Sequence, residues 1–297
     1  MNRKTRGDIA FDVFNYTLMT LLLLTWLYPM WYCLIQSVSN TVIISTREVW
    51  IVPRYFTWIN YKTVLADSRI LTAFSLSVRI TLLGATMSVL CNAAAAYALS
   101  KKELYARKTI TTIILVSMYF GGGLIPWYLL MQGLHLNDSF WGFILPMLYS
   151  GYTIIVMRTF FSSLPPELEE SAKIDGANEL QRFVMICLPL SKAVLATMWL
   201  FAAVSQWNNW MTGDLLMTKP NLKPMSTVLM EIITRNKLNS SSGSGISGAE
   251  VVTGANKPTS TGIKMAAVMV TVVPILCVYP FLQRFFAKGV LVGSVKG

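Results

Sequence analysis

A chain of 297 residues that is 54% hydrophobic, only 13% charged and +0.52 in mean hydropathy is not a soluble globular domain. Such domains carry about 25% charged residues. The net charge of +11 does not point to nucleic acid, because positive cytoplasmic loops and anionic lipid headgroups account for it and no basic run interleaved with aromatics stands outside a membrane flank.

The apolar residues fall in runs of about 20 or more, the length that crosses about 30 Å of hydrocarbon as a helix. The expected fold class is therefore all-α, a polytopic membrane protein with six transmembrane helices. Residues 1–13, with Arg3, Lys4 and Arg6, form a cytoplasmic N-terminus, and 14–36 form the first span. The run is too long for a signal-peptide core and no small-x-small cleavage site follows it. Residues 37–72 are mixed and carry Trp50, Tyr55, Phe56, Trp58 and Tyr61, aromatics that favour the membrane–water interface; a short interfacial helix is expected at Val64–Leu71.

The second span, 73–99, presents Gly84, Ala85, Ser88 and Ala93–Ala96, small residues that permit close helix contact in lipid. Its Arg79 must snorkel outward or face a wet cavity. Lys101, Lys102, Arg107 and Lys108 then mark a cytoplasmic loop. The third span, 109–131, contains Gly121-Gly122-Gly123 and Pro126, which weaken helix continuity. The fourth is 140–161, the fifth 193–211 and the sixth 263–286. Between the last two lies a polar extracytoplasmic loop, 213–262, whose stretch Asn239–Gly248 is flexible by composition. Residues 287–297 form a cytoplasmic tail. The cysteines Cys33, Cys91, Cys187 and Cys277 lack ligand spacing and read as small buried hydrophobes. His135, the one histidine, reads as a solvated turn residue. No metal site, catalytic cluster or Walker A loop is expected, so the chain needs no cofactor of its own.

Residues 164–190 differ from everything around them. Glu167, Glu169, Glu170, Asp175 and Glu179 gather there, in a chain with 14 acidic residues. Pro165-Pro166 suits a helix start, and the glutamates then fall where the helix dipole favours them. Ser171 and Ala172 keep one face small. Gly176 ends the first helix, and Asn178 caps a second whose apolar stripe is Leu180, Phe183, Val184 and Cys187, ending at Leu188-Pro189. Helices that rest on lipid are usually rich in Lys and Arg. Carboxylates here fit a protein partner with a basic cleft better.

Glu170-Ser171-Ala172-Lys173-Ile174-Asp175-Gly176-Ala177, followed by Phe183, Ile186 and Leu188-Pro189-Leu190, resembles the EAA loop of ABC import permeases, with Ser171 for the usual alanine. MRTFFSSLPPELEESAKIDGA and the tail YPFLQRFFAKGVLVGSVKG are similar to the carbohydrate, oligosaccharide branch of that family. The resemblance implies a type I ABC importer permease fold in a bacterial cell membrane, with both termini cytoplasmic. It also implies four kinds of partner: a second homologous permease, two cytoplasmic ATPase subunits that bind the ATP, an extracytoplasmic binding protein, and a sugar or oligosaccharide substrate. Glu170, Ser171, Ala172, Asp175 and Gly176 are the implied ATPase-coupling residues.

For the substrate pathway, Gln206, Trp207, Asn208, Asn209 and Trp210 offer ring faces and amides suited to a sugar. They equally suit a tryptophan belt with helix-end amides. Tyr119, Trp127, Tyr128 and Tyr152 are further candidates. A permease for a non-sugar solute, or a membrane-embedded glycan or lipid transferase, are the competing readings.

Overall fold

The computed structural model describes residues 5–39, 51–53, 56–241 and 261–277. The described residues are helical and hold no strand, only an isolated bridge between Ser39 and Phe56. In chain order the helices are α1 (Arg6–Val38), α2 (Ile59–Ala66), α3 (Ser68–Ser100), α4 (Arg107–Tyr119), α5 (Leu124–Gly133), α6 (Trp141–Met147), α7 (Gly151–Phe161), α8 (Pro166–Ile174), α9 (Glu179–Leu190), α10 (Lys192–Trp207), α11 (Trp210–Leu216), α12 (Met225–Ser241) and α13 (Thr261–Cys277). By length and composition, α1 and α3 each suffice to cross a membrane, and three bent pairs bring the candidate spans to five. Contacts divide the chain into two units, one of Met1–Ser68 with Glu231–Val273 and one of Arg69–Met230 with Pro274–Gly297.

In the first unit, α1 starts earlier than the expected 14–36. Thr5 and Asp8 form a capping box, in which the Thr5 hydroxyl accepts from the Asp8 N–H and the Asp8 carboxylate accepts from the Thr5 N–H at 2.8 Å. That local signal overrides the charge of residues 1–13 as a boundary. Apolar side chains along α1, from Ile9 to Leu34, stand exposed, as suits a helix in lipid. Buried Asn60 of α2 donates to the carbonyl of Ser37 at 3.0 Å, and the Ser37 hydroxyl pairs with the Tyr61 hydroxyl at 2.8 Å. The short helix after α1 is thus Ile59–Ala66 instead of Val64–Leu71, because Asn60 and Tyr61 are needed against the end of α1.

In the second unit everything is laid along α3. At 33 residues and 1.5 Å per residue it is about 50 Å long. Toward its Ser100 end, Val89, Ala93, Ala96, Tyr97 and Leu99 pack with Ile114 of α4, Ile154 and Met157 of α7, Cys187 of α9 and Val194 and Met198 of α10. Toward its other end, Leu76 and Ile80 pack with Met131, Leu136, Phe143, Leu216 and Met217. The small face expected of this helix is real: Gly84, Ala85, Ser88, Ala93 and Ala96 are buried. Arg79 is exposed.

Several spans are not single helices. The third breaks at Phe120–Gly123, and α4 and α5 meet at 115°. The fourth breaks at Leu148–Ser150 after Pro146, with a 48° bend. The fifth ends at Trp207, short of the expected residue 211, and α11 restarts at Trp210. The loop expected at 213–262 is helical through most of its first half, in α11 and α12; its flexible stretch lies outside the described residues beyond Ser241. The sixth span is described to Cys277, and the tail lies outside the described residues. Cys187 is buried, but Cys91 and Cys277 are exposed in this chain, against the expectation for all four.

At the end of α3 away from Ser100, Asp138 clamps two loops together. Its N–H donates to the Leu216 carbonyl at 3.0 Å, and its carboxylate accepts the Thr218 hydroxyl and the N–H groups of Thr218 and Lys219 at 2.7 and 3.0 Å. The Thr218 hydroxyl, then the Lys219 N–H, hold the carboxyl below its usual range. A carboxyl with a depressed folded pKa contributes stability that is present above its unfolded value, about 3.9, and lost as pH falls through the folded value. Thermal unfolding of the purified protein should therefore separate wild type from Asp138→Ala at neutral pH. The gap should close only below about pH 4; an unchanged gap at pH 3 would refute the clamp's titration.

Candidate functional site

The acidic stretch folds as two short helices on a bend. Pro166 begins α8, with Pro165 at its cap in an extended conformation. The helix ends in a glycine cap: Gly176, at φ +83°, lets its own N–H reach the Lys173 carbonyl at 3.2 Å and the Ala177 N–H reach the Ala172 carbonyl at 2.9 Å. A side chain at Gly176 would meet open space, so backbone conformation, not crowding, is what requires glycine. Asn178 then caps α9 reciprocally with Gln181, each accepting from the other's N–H at 2.9 Å.

α9 departs from its expected stripe. A π-turn at Phe183–Cys187 shifts the register, so Phe183 and Cys187 face inward while Leu180 and Val184 are exposed. The helix also runs through Pro189 to Leu190, beyond the expected stop, and turns 83° into α10 at Ser191. Proline is tolerated there because it stands in the first turn of a new helical segment.

The acidic side chains divide into two groups. Glu169 pairs with Lys101, and Glu179 pairs with Arg182 and accepts from the Tyr97 hydroxyl at 3.0 Å. The Lys101 ammonium also lies 4.1 Å from the centre of the Tyr97 ring, and the Phe183 ring packs on Tyr97 at 5.0 Å. Glu167, Glu170 and Asp175 are exposed and pair with no described residue. Around them stand Leu168, Ile174, Leu180 and Met185, with Ile174 87% exposed. Ser171 is exposed and Ala172 half-buried. The surface is therefore both acidic and apolar. Ile174 and Met185 were absent from the sequence-based set; the signal for Ile174 was an apolar residue on the polar side of a helix with few apolar positions.

The residues expected along a substrate path fall into separate places. Gln206 is buried, donates to the Phe143 carbonyl at 3.2 Å and lies against Gly84. Trp207 is buried, edge-on to Phe74, and lines an apolar recess with Thr81, Trp199 and Ala203. Asn208 bonds back to the Val204 carbonyl, Asn209 caps α11 by accepting from Thr212, and the Trp210 carbonyl accepts from Thr227. Trp127 and Tyr128 pack beside the cluster around Leu76 and Ile80 of α3. Tyr119 and Tyr152, by contrast, are exposed, together with Phe120 and Tyr149; the Tyr149 hydroxyl pairs with Ser117 on α4. No group of His, Cys, Asp and Glu suited to a metal occurs among the described residues.

Comparison with known proteins places the chain in a family. Residues 1–292 match the family model for the inner membrane component of binding-protein-dependent transport systems. Protein LplC of Bacillus subtilis is 36% identical over 99% of this chain and 97% of its own length. The polygalacturonan/rhamnogalacturonan transport system permease protein YtcP of the same organism is 35% identical over 97% of this chain and 98% of its own. Among solved structures, a chain of a bacterial ABC transporter involved in import of the acidic polysaccharide alginate matches with a TM-score of 0.85 at 28% identity, covering 96% of this chain and all of that one. The exposed acidic helix pair, carried on a bundle of this build, is thus a feature of an ABC importer permease: the chain belongs to the family of inner membrane components of binding-protein-dependent transport systems.

Proposed function

We propose that this chain is one of two permease subunits of an ATP-driven importer of an oligosaccharide delivered by an extracytoplasmic binding protein. The single observation that carries the coupling role is the unpaired face of α8 and α9. Carboxylates of Glu167, Glu170 and Asp175 beside exposed Leu168 and Ile174 suit neither water alone nor lipid. A protein cleft with basic walls and an apolar floor satisfies both. In this reading the face is cytoplasmic, as are both termini. Two ATPase subunits hold the ATP, and Glu170 pairs with a basic residue of one of them, with Ser171 and Ala172 allowing close approach and Gly176 setting the bend. The polygalacturonan/rhamnogalacturonan transport of YtcP and the alginate import of the solved transporter support a carbohydrate cargo.

The substrate path in this reading runs past the break between α4 and α5. The N–H groups of Gly121, Gly122, Gly123 and Leu124 reach no acceptor among the described residues. α4 has 13 residues, about 20 Å of rise, so the break falls well inside a core of about 30 Å. Unpaired backbone at that depth is tolerated only beside protein or a water-filled cavity. Tyr119, 83% exposed, and Tyr152, 56% exposed, stand near it and offer ring faces to a sugar. Gln206 and Trp207 are buried in the bundle and stand apart from this path, whereas Asn208 and Trp210 are exposed.

Two experiments test this. Glu170→Lys and Gly176→Asp, in cells carrying the whole transporter, should abolish binding-protein-dependent uptake while membrane levels of the subunit stay normal; normal uptake in both variants removes the coupling role. In a background with the four cysteines replaced by serine, Gly122→Cys and Tyr119→Cys should react with a charged thiosulfonate about tenfold faster than Leu22→Cys of α1, because a reactive thiolate does not form in hydrocarbon. Equal rates would remove the wet path.

A further inference from the structure

We propose that Lys101 and Tyr97 are positioning residues that tie both helices of the acidic pair to α3, so that movement of the pair is delivered to that helix. The inference rests on the reading of α8 and α9 as the ATPase-coupling surface. It adds how the stroke leaves that surface. Lys101 follows α3 directly and pairs with Glu169 of α8, both side chains about three-quarters or more shielded, at 19% and 26% exposure. Tyr97, in the last turn of α3, donates its hydroxyl to Glu179 at the start of α9. The Lys101 ammonium over the Tyr97 ring joins the two contacts into one network, and Arg182 closes it through Glu179. Each helix of the pair is therefore held to the same end of the same helix by a separate charged contact.

The geometry makes α3 the natural receiver. Gly176 is the bend between α8 and α9, and a side chain there would meet open space. Just before α8, Leu164 packs at the edge of the cluster near the Ser100 end of α3, and the tie adds a second attachment. With it, a push on α8 reaches Lys101 and one on α9 reaches Tyr97. α3 continues unbroken from there to Ser68, whereas the spans containing α4, α7 and α10 are each bent. An unbroken helix conveys displacement along its length; a bent pair absorbs part of it at the break.

The test uses the assembled transporter purified with its ATPase subunits and reconstituted in vesicles, in the background lacking the native cysteines. A reporter cysteine, Ser75→Cys, near the far end of α3, is reacted with a charged thiosulfonate with and without vanadate trapping of ATP. In the otherwise native subunit, trapping should change the reaction rate about fivefold or more. Lys101→Ala should leave the ATPases bound and hydrolysing ATP within about twofold of the native rate, yet reduce the reporter's response to less than about twofold. Tyr97→Phe, which removes only the hydroxyl contact, should give a partial loss. Lys101→Arg, and the exchange Lys101→Glu with Glu169→Lys, should restore the response. A full response in Lys101→Ala overturns the tie. So does loss of ATPase binding in that variant, which would make Lys101 part of the docking scaffold. If the native subunit itself retains no ATPase, the coupling reading fails first and the tie with it.

Discussion

A helix in hydrocarbon has nowhere to send an unpaired backbone group except to other protein atoms or to trapped water. That constraint explains which side chains of α3 matter. The bend between α6 and α7 frees backbone groups at Met147 and Ser150. Ser88 donates to the Met147 carbonyl at 2.7 Å, and the side-chain oxygen of Asn92 accepts the Ser150 N–H at 2.9 Å. Asn92 is held for this by its own donation to Ser88. At the start of α12, the Ser77 hydroxyl accepts the Met225 N–H at 2.7 Å. Three small polar residues on one unbroken helix thus supply partners to two places where neighbouring chain is irregular. The bundle tolerates broken spans because α3 is not broken.

The break between α4 and α5 is the exception, and its chemistry differs. No side chain of α3 reaches Gly121–Gly123, and the aromatics beside it point into the open. One break is sealed by side chains of α3 and the other is not. Glycine suits the proposed path there, because a backbone without side chains presents its N–H groups at the lowest steric cost.

Much of this was legible in the amino-acid order, and the dividing line is sequence distance. The helix pair at 164–190 was readable because proline at the start, glycine at +83° and the Asn178–Gln181 box all act within a few residues. The Phe120–Gly123 break was readable for the same reason. What local pattern does not carry is the fate of each carboxylate. Glu169 and Glu179 look like Glu170 in sequence, but their partners Lys101 and Tyr97 lie 68 and 82 residues away. The Leu148–Ser150 break was missed because its partners sit on α3. Gln206 and Trp207 suit a sugar site or a tryptophan belt equally well by composition, and local pattern does not carry their burial against Gly84 and Phe74.

The split among the carboxylates has a physical logic that the total charge conceals. A helix held only by its outward acids would be placed by its partner, and the bundle would not feel it. A helix whose acids were all paired inward would offer a basic cleft nothing to grip. Glu169 and Glu179 pair with residues at the Ser100 end of α3, Glu167, Glu170 and Asp175 pair with no described residue, and along α9 Phe183 and Cys187 lie inward while Leu180 and Val184 are exposed. In the proposed reading, the same few turns of helix hold the bundle on one side and the ATPase on the other. Ser171 in place of alanine fits this account, because it lies on the exposed side, where a hydroxyl costs nothing until a partner covers it and then must be given a hydrogen bond.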